Sequence, residues 1–175
     1  MGVRGGKLPE KEESGDCSAT GEPGLLLKLE LKSNPEALCL VRATVERAAE
    51  MLHFPDAEAR AIVRSVDEAL ANVMRHAYQG RPEQPIQVLC SKVAGPREGG
   101  KAAGLEIVLQ DEGTEADPAK FKSRPLDEIR PGGLGLHFIR ESMDVVEFSR
   151  KKGKNQLRLV KYLSPAEQQA GSQGE

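Results

Sequence analysis

The sequence predicts an α/β two-layer sandwich, a sheet covered by helices on one face. Three observations carry this. Residues 24–32 end in the period-2 alternation of a half-buried strand. Residues 35–53 and 56–78 carry apolar side chains at helical spacing. Residues 86–93 with 103–110, and 145–151 with 156–163, read as two pairs of short strands.

Each element has its own signals. After the first strand, Ser33 or Asn34 can cap a helix with Pro35 at its first position. Leu38, Val41, Val45, Ala48, Ala49 and Leu52 form its apolar stripe, and it runs to about His53. Phe54-Pro55-Asp56 breaks it, and Asp56 can cap a second helix through Tyr78. Residues 79–85 make a turn region. The strands 86–93 and 103–110 flank a Gly/Pro/Lys loop at 94–101. Residues 112–133 are polar, hold Pro118, Pro125 and Pro131, and lack periodicity, the profile of a functional loop. A short helix fits Leu134–Glu141, and a terminal hairpin turns at residues 152–155. The expected organisation is a disordered tail at 1–23, one folded domain at 24–163 and a flexible tail at 164–175.

Composition narrows the function classes. The chain has 175 residues, is 38% hydrophobic and carries a formal net charge of −2. No basic excess marks a nucleic-acid partner. No apolar run approaches the roughly 20 residues that span a bilayer. Cys17, Cys39 and Cys90 are widely spaced and form no CxxC pair, which argues against zinc or a disulfide framework and suits a reducing cytoplasm.

Three motifs carry chemistry. In residues 67–78 (DEALANVMRHAY), Glu68, Asn72 and His76 stand four apart, one ridge of a helix, beside the apolar stripe Ile62, Val66, Ala69, Leu70, Val73 and Ala77. A carboxylate there can act as a general base and an amide oxygen can hold Mg²⁺. Taken alone, such a ridge is ordinarily a solvated face. Asp111-Glu112-Gly113 ends a strand: the Asp can accept from an exocyclic amine, and the Gly permits close approach, although Asp-x-Gly is usually a plain turn. Residues 131–136 (PGGLGL) open onto a helix N-terminus, where free N–H groups favour phosphate, although a hinge explains many such runs.

In this order and spacing the motifs resemble the N, G1 and G2 boxes of the gyrase–Hsp90–histidine-kinase–MutL ATPase superfamily. The small size and the His76-Ala77-Tyr78 ending look like the anti-sigma-factor serine/threonine kinases. The resemblance covers roughly residues 24–163. It implies the Bergerat fold, with a mixed, mostly antiparallel sheet and ATP held beneath a lid at 114–131. It implies that Asn72 holds Mg²⁺, that Glu68 is the base for a seryl hydroxyl, and that Asp111 binds the adenine amine with Gly113 beside the ring. The backbone of Gly133, Leu134, Gly135 and Leu136 would meet the phosphates. Arg75 and His76 would lie near the nucleotide, or His76 is a structural residue. The family's second G1 glycine is Glu115 here, a carboxylate that would repel phosphate.

The implied function is an ATP-dependent serine/threonine kinase that phosphorylates a small anti-sigma-factor antagonist and sequesters a sigma factor as a homodimer. The alternative is an ATP-binding module that holds a partner without transfer. A detached histidine-kinase catalytic domain lacks support, because no dimerisation helix pair with a phospho-accepting His is present. No membrane and no direct nucleic-acid contact are expected. The strand Leu25–Leu31, with Leu25, Leu27, Leu29 and Leu31 on one face, is expected at a sheet edge.

Overall fold

The computed structural model describes residues 24–95, 103–115 and 134–164. The tail 1–23, most of the 94–101 loop, residues 116–131 of the expected lid, Gly132, Gly133 and residues 165–175 lie outside the described residues. The elements are β1 (Leu25–Lys32), α1 (Leu38–Met51), α2 (Asp56–Asn72), β2 (Pro85–Ala94), β3 (Ala103–Asp111), α3 (Leu134–Ser142), β4 (Val145–Lys151) and β5 (Lys154–Tyr162).

One five-stranded sheet has the order β1-β2-β3-β5-β4, and β1 is the edge strand expected. All four pairings are antiparallel, so the described sheet is more uniform than a mixed one. The helices α1 and α2 leave and return at the same end of the sheet, where Lys32 meets Pro85, and this sends β2 back along β1. The turn between β4 and β5 is only Lys152-Gly153, with φ of 51° and 81°. Two left-handed residues make a tight hairpin that matches strand twist, so Lys154 and Asn155 belong to β5 rather than to the turn.

The core lies between the sheet and α1 and α2. Val41, Val45, Ala48 and Ala49 of α1 and Ile62, Val66, Ala69 and Leu70 of α2 pack on Ile86, Val88, Cys90, Leu105, Ile107, Leu109 and Leu159. Burying each large aliphatic side chain is worth about 1.5–3 kcal/mol. The other face is free of helices among the described residues. Arg158 crosses it to Glu106 at 2.5 Å and to Glu147 at 2.9 Å. Asn34, not Ser33, caps the first helical turn: its Oδ1 accepts from Glu36 N at 3.0 Å. Ser33 is buried and bonds Arg81 O and Gln84 N instead. Asp56 is the first residue of α2 rather than its cap. Cys90 is buried, which pushes its thiol up to about 12, and Cys39 is exposed.

The second helix ends differently from the reading through Tyr78. Its α-helical part stops at Asn72, and Val73–Ala77 form a π turn. The buried series Val66, Leu70, Met74 and Tyr78 explains this. Steps of four residues drift about 40° each on a 3.6-residue helix. One wider turn cancels the drift and keeps Tyr78 facing the core.

Candidate active site

The last turns of α2 place the first group of side chains. Glu68 is half-buried, and Arg75 reaches back over two turns to it at 3.3 Å. The same guanidinium nitrogen approaches Asn72 Oδ1 at 3.4 Å. Glu68, Asn72 and Arg75 therefore form one cluster. His76 is exposed, and Arg75 is the side chain that reaches Glu68 and Asn72.

Gly135, in the first turn of α3, lies directly against Glu68. A Cβ on Gly135 would come within 2.6 Å of Glu68 Cγ and would strike the carboxyl. The first N–H groups of a helix lack intrahelical partners. The Leu134–Leu136 backbone thus opens beside the carboxylate, while the Leu136 side chain packs on the core. Arg64 of α2 stacks 4.3 Å from the Phe138 ring centroid, and Ile139 is fully buried, which holds α3 against α2. Gly133 lies outside the described residues.

Asp111, at the end of β3, is buried. Its Oδ1 accepts from Gly113 N and from Asn155 Nδ2, both at 2.8 Å. The hydrogen bonds from described residues to this carboxyl fall on Oδ1. Burial pushes the carboxyl above the usual aspartate range, opposed by the Asn155 and Gly113 donors and by the Arg150 charge. Asn155 Nδ2 also donates to Thr114 O at 3.0 Å, and Arg150 donates to Asn155 Oδ1 at 2.5 Å.

Gly113 has a role the sequence reading missed. A Cβ there would lie 2.6 Å from Ala77 O, so the glycine lets the strand end close on the helix end. Thr114 fastens the contact, its N and Oγ1 donating to Ala77 O at 3.0 and 2.7 Å. Tyr78 locks the same corner: its hydroxyl donates to Pro85 O and accepts from Glu112 N at 2.8 Å. Glu115 pairs with Arg150 at 4.0 Å, which draws its carboxylate toward a cation. Asn155, Arg150, Thr114 and Tyr78 complete the site. Only the register that sets Asp111 opposite Asn155 could have signalled the first of these.

From Glu68 to Ala77 the helix rises about 13 Å. The Glu68 carboxylate beside a helix N-terminus therefore stands at one end, with Asn72 a turn further on, and the buried Asp111 carboxyl stands at the other. A triphosphate with an amine-bearing base suits that polarity. Among the described residues no three His, Cys, Asp or Glu side chains form a metal cluster. Asn72 with phosphate oxygens fits Mg²⁺, which needs few protein ligands. No described helix is long and apolar enough to cross a membrane.

A model of the histidine kinase-like ATPase domain matches residues 31–161. The serine-protein kinase RsbW of Bacillus pumilus is 25% identical over 150 residues, covering 79% of this chain and 86% of the relative. The serine/threonine-protein kinase BtrW of Bordetella bronchiseptica is 31% identical over 103 residues, covering 57% and 67%. The solved SiaB-SiaC complex of Pseudomonas aeruginosa contains a chain of similar fold, with a TM-score of 0.56 and 14% identity, covering 79% of this chain and 89% of that one. With the match spanning strands β2–β5, both site helices and the Asp111 corner, this chain belongs to the histidine kinase-like ATPase domain family and has serine-protein kinases among its relatives.

Proposed function

We propose that this protein is an ATP-dependent serine/threonine kinase that acts as an anti-sigma factor and phosphorylates a small antagonist protein. The observation that carries the reading is the Glu68 carboxyl lodged against the opening turn of α3, with Asn72 one helical turn away. Phosphoryl transfer needs positioning, charge neutralisation and a base more than covalent chemistry. Asp111 Oδ2 accepts from the adenine amine and sets the distance at which the triphosphate ends. The backbone of Gly133, Leu134, Gly135 and Leu136 receives the phosphates. Asn72 would hold Mg²⁺, whose charge would neutralise the phosphates. Glu68 accepts the proton of the attacking seryl hydroxyl, and Arg75 orients Glu68 and Asn72 between turnovers.

The relatives' kinase names support this reading. The SiaB-SiaC likeness supports the fold that carries it. The second reading, binding without transfer, drew on the charge of Glu115. The Arg150 pairing weakens that objection. Assembly is a homodimer through β1 and α1: β1 is an edge strand, and Leu26, Leu40 and Met51 are its and α1's large apolar side chains left exposed. A cytoplasmic setting fits the described helices and the free cysteines.

The test is incubation with Mg·ATP and a small antagonist protein encoded beside it. Phosphoserine on the antagonist, lost in Glu68→Gln, supports the kinase. Tight Mg·ATP binding without transfer would replace it with the binding module. Sedimentation at micromolar concentration tests the dimer, and a monomer with and without ATP would remove it.

A further inference from the structure

We propose that Arg150 is a positioning residue that sets the ATP-over-GTP preference of the Asp111 corner, by fixing which end of the Asn155 side-chain amide faces Asp111. The inference rests on the reading that Asp111 receives the amine of adenine.

An asparagine amide has a donor end and an acceptor end of nearly the same shape. Its neighbours decide which way it points. Arg150 can only donate, and it meets Asn155 at 2.5 Å, so the oxygen must face it. The NH₂ group is then turned to two acceptors, Asp111 Oδ1 at 2.8 Å and Thr114 O at 3.0 Å. Asn155 is buried, so its amide oxygen depends on a protein donor, and Arg150 supplies it. Arg150 also donates to Gly113 O at 3.3 Å, which ties the same guanidinium to the turn that carries Asp111.

The consequence reaches the ligand through one carboxylate. Asp111 Oδ1 already holds two donors, so the group stays an acceptor and offers Oδ2 as an acceptor. Adenine presents an exocyclic amine, a donor, at the position where guanine presents a carbonyl acceptor. An acceptor-only Asp111 welcomes the first and rejects the second. Without Arg150 the buried amide oxygen loses its donor, a cost that lets the amide turned the other way compete, with its oxygen toward Asp111. Two oxygens then face each other, and protonation of Asp111 relieves them. A protonated Asp111 can donate, and it no longer discriminates against a carbonyl.

Among the described residues, the charged and titratable groups around Asp111 are few. Arg150 faces it from β4, and Tyr78 from the end of the second helix. Glu112 and Glu115 extend the turn after β3, Glu112 paired with Lys154 of β5 at 2.9 Å and Glu115 with Arg150.

Calorimetric titration of the full chain with Mg·ATP and Mg·GTP tests the proposal. Arg150→Met should raise the Kd for Mg·ATP about tenfold or more, the usual worth of a hydrogen bond to a charged group. It should narrow the ATP/GTP ratio and shift the acid limit of ATP binding to higher pH. Arg150→Lys, which keeps a donor and the charge, should restore part of the preference and serves if the Met variant fails to fold. Glu115→Gln should leave the ratio unchanged, which separates amide orientation from mere neutralisation of Glu115. A wild-type ratio and acid limit in both Arg150 variants would overturn the proposal while leaving Asp111 as the base-binding residue. Absence of Mg·ATP binding by the wild-type chain would remove that underlying reading, and the proposal with it.

Discussion

Gly135 and Glu68 share one volume: the space a side chain on Gly135 would fill is taken by the Glu68 carboxyl. The opening turn of α3 can approach α2 this closely only with hydrogen at that position. Gly135→Ala should therefore push Glu68 away or tilt α3, at about 1–3 kcal/mol, the ordinary cost of overpacking. Because the two residues touch, the loss should shrink when Glu68→Ala is added, a non-additivity that a double-mutant cycle of chemical denaturation measures.

Asn72→Ala should abolish Mg·ATP binding while the fold survives, because Asn72 lies at the end of α2 outside the packed core. Calorimetry with Mg·ATP checks this. Unchanged affinity would make Asn72 an ordinary polar residue held only by Arg75.

Glu68→Gln should keep nucleotide binding and slow phosphoryl transfer by roughly 10²–10⁴-fold, the usual worth of general acid–base catalysis. Single-turnover assays separate that loss from any change in affinity. A native transfer rate would sink the base assignment.

Tyr78→Phe should cost about 1–3 kcal/mol, because it leaves the buried corner between Pro85 and Glu112 without its bridging hydroxyl. The urea midpoint reports it. A midpoint within error of the wild type would mean that water replaces the hydroxyl.

Asp111 ties pH to both stability and ligand. Its folded-state carboxyl is raised chiefly by burial. A raised carboxyl favours the fold below the ordinary aspartate value of about 3.9, and that contribution is lost as pH rises through the folded value. Asp111→Asn should therefore raise Tm at pH 7, with the gain shrinking as pH falls toward 4. Nucleotide binding runs the opposite way: it needs the ionised form, so it should weaken as pH drops through the raised value. Melting and titration series from pH 4 to 8 test both limbs.

Much of the architecture was legible because the elements are locally consistent. The alternation in Leu25–Lys32 returns as alternating burial, and the stripe Val41, Val45, Ala48, Ala49 is buried as its spacing predicted. Glu68, Asn72, Asp111 and Gly135 could be picked out because their motifs keep fixed spacing along the chain. What stayed hidden was set by tertiary register. Asn155 reads as a turn residue until the two-residue hairpin at Lys152-Gly153 places it opposite Asp111, 44 positions away. The π turn was hidden too, because it answers the need to keep Tyr78 inward and not a local propensity. Arg75 rather than His76 reaches Glu68 because its long guanidinium side chain can span the two helical turns between them.

The order of the sheet has a consequence for synthesis. The last described strand, β5, is an interior one, inserted between β3 and β4. On the ribosome, β3 and its apolar Leu105, Ile107 and Leu109 must wait with an unpaired edge until residues 154–162 emerge. The Asp111 corner cannot exist before then, since Asn155 arrives with that strand. A nascent chain halted short of Lys154 would display helices, three paired strands and an unpaired β4 yet have no finished nucleotide corner, and its exposed β3 edge would invite chaperones or aggregation.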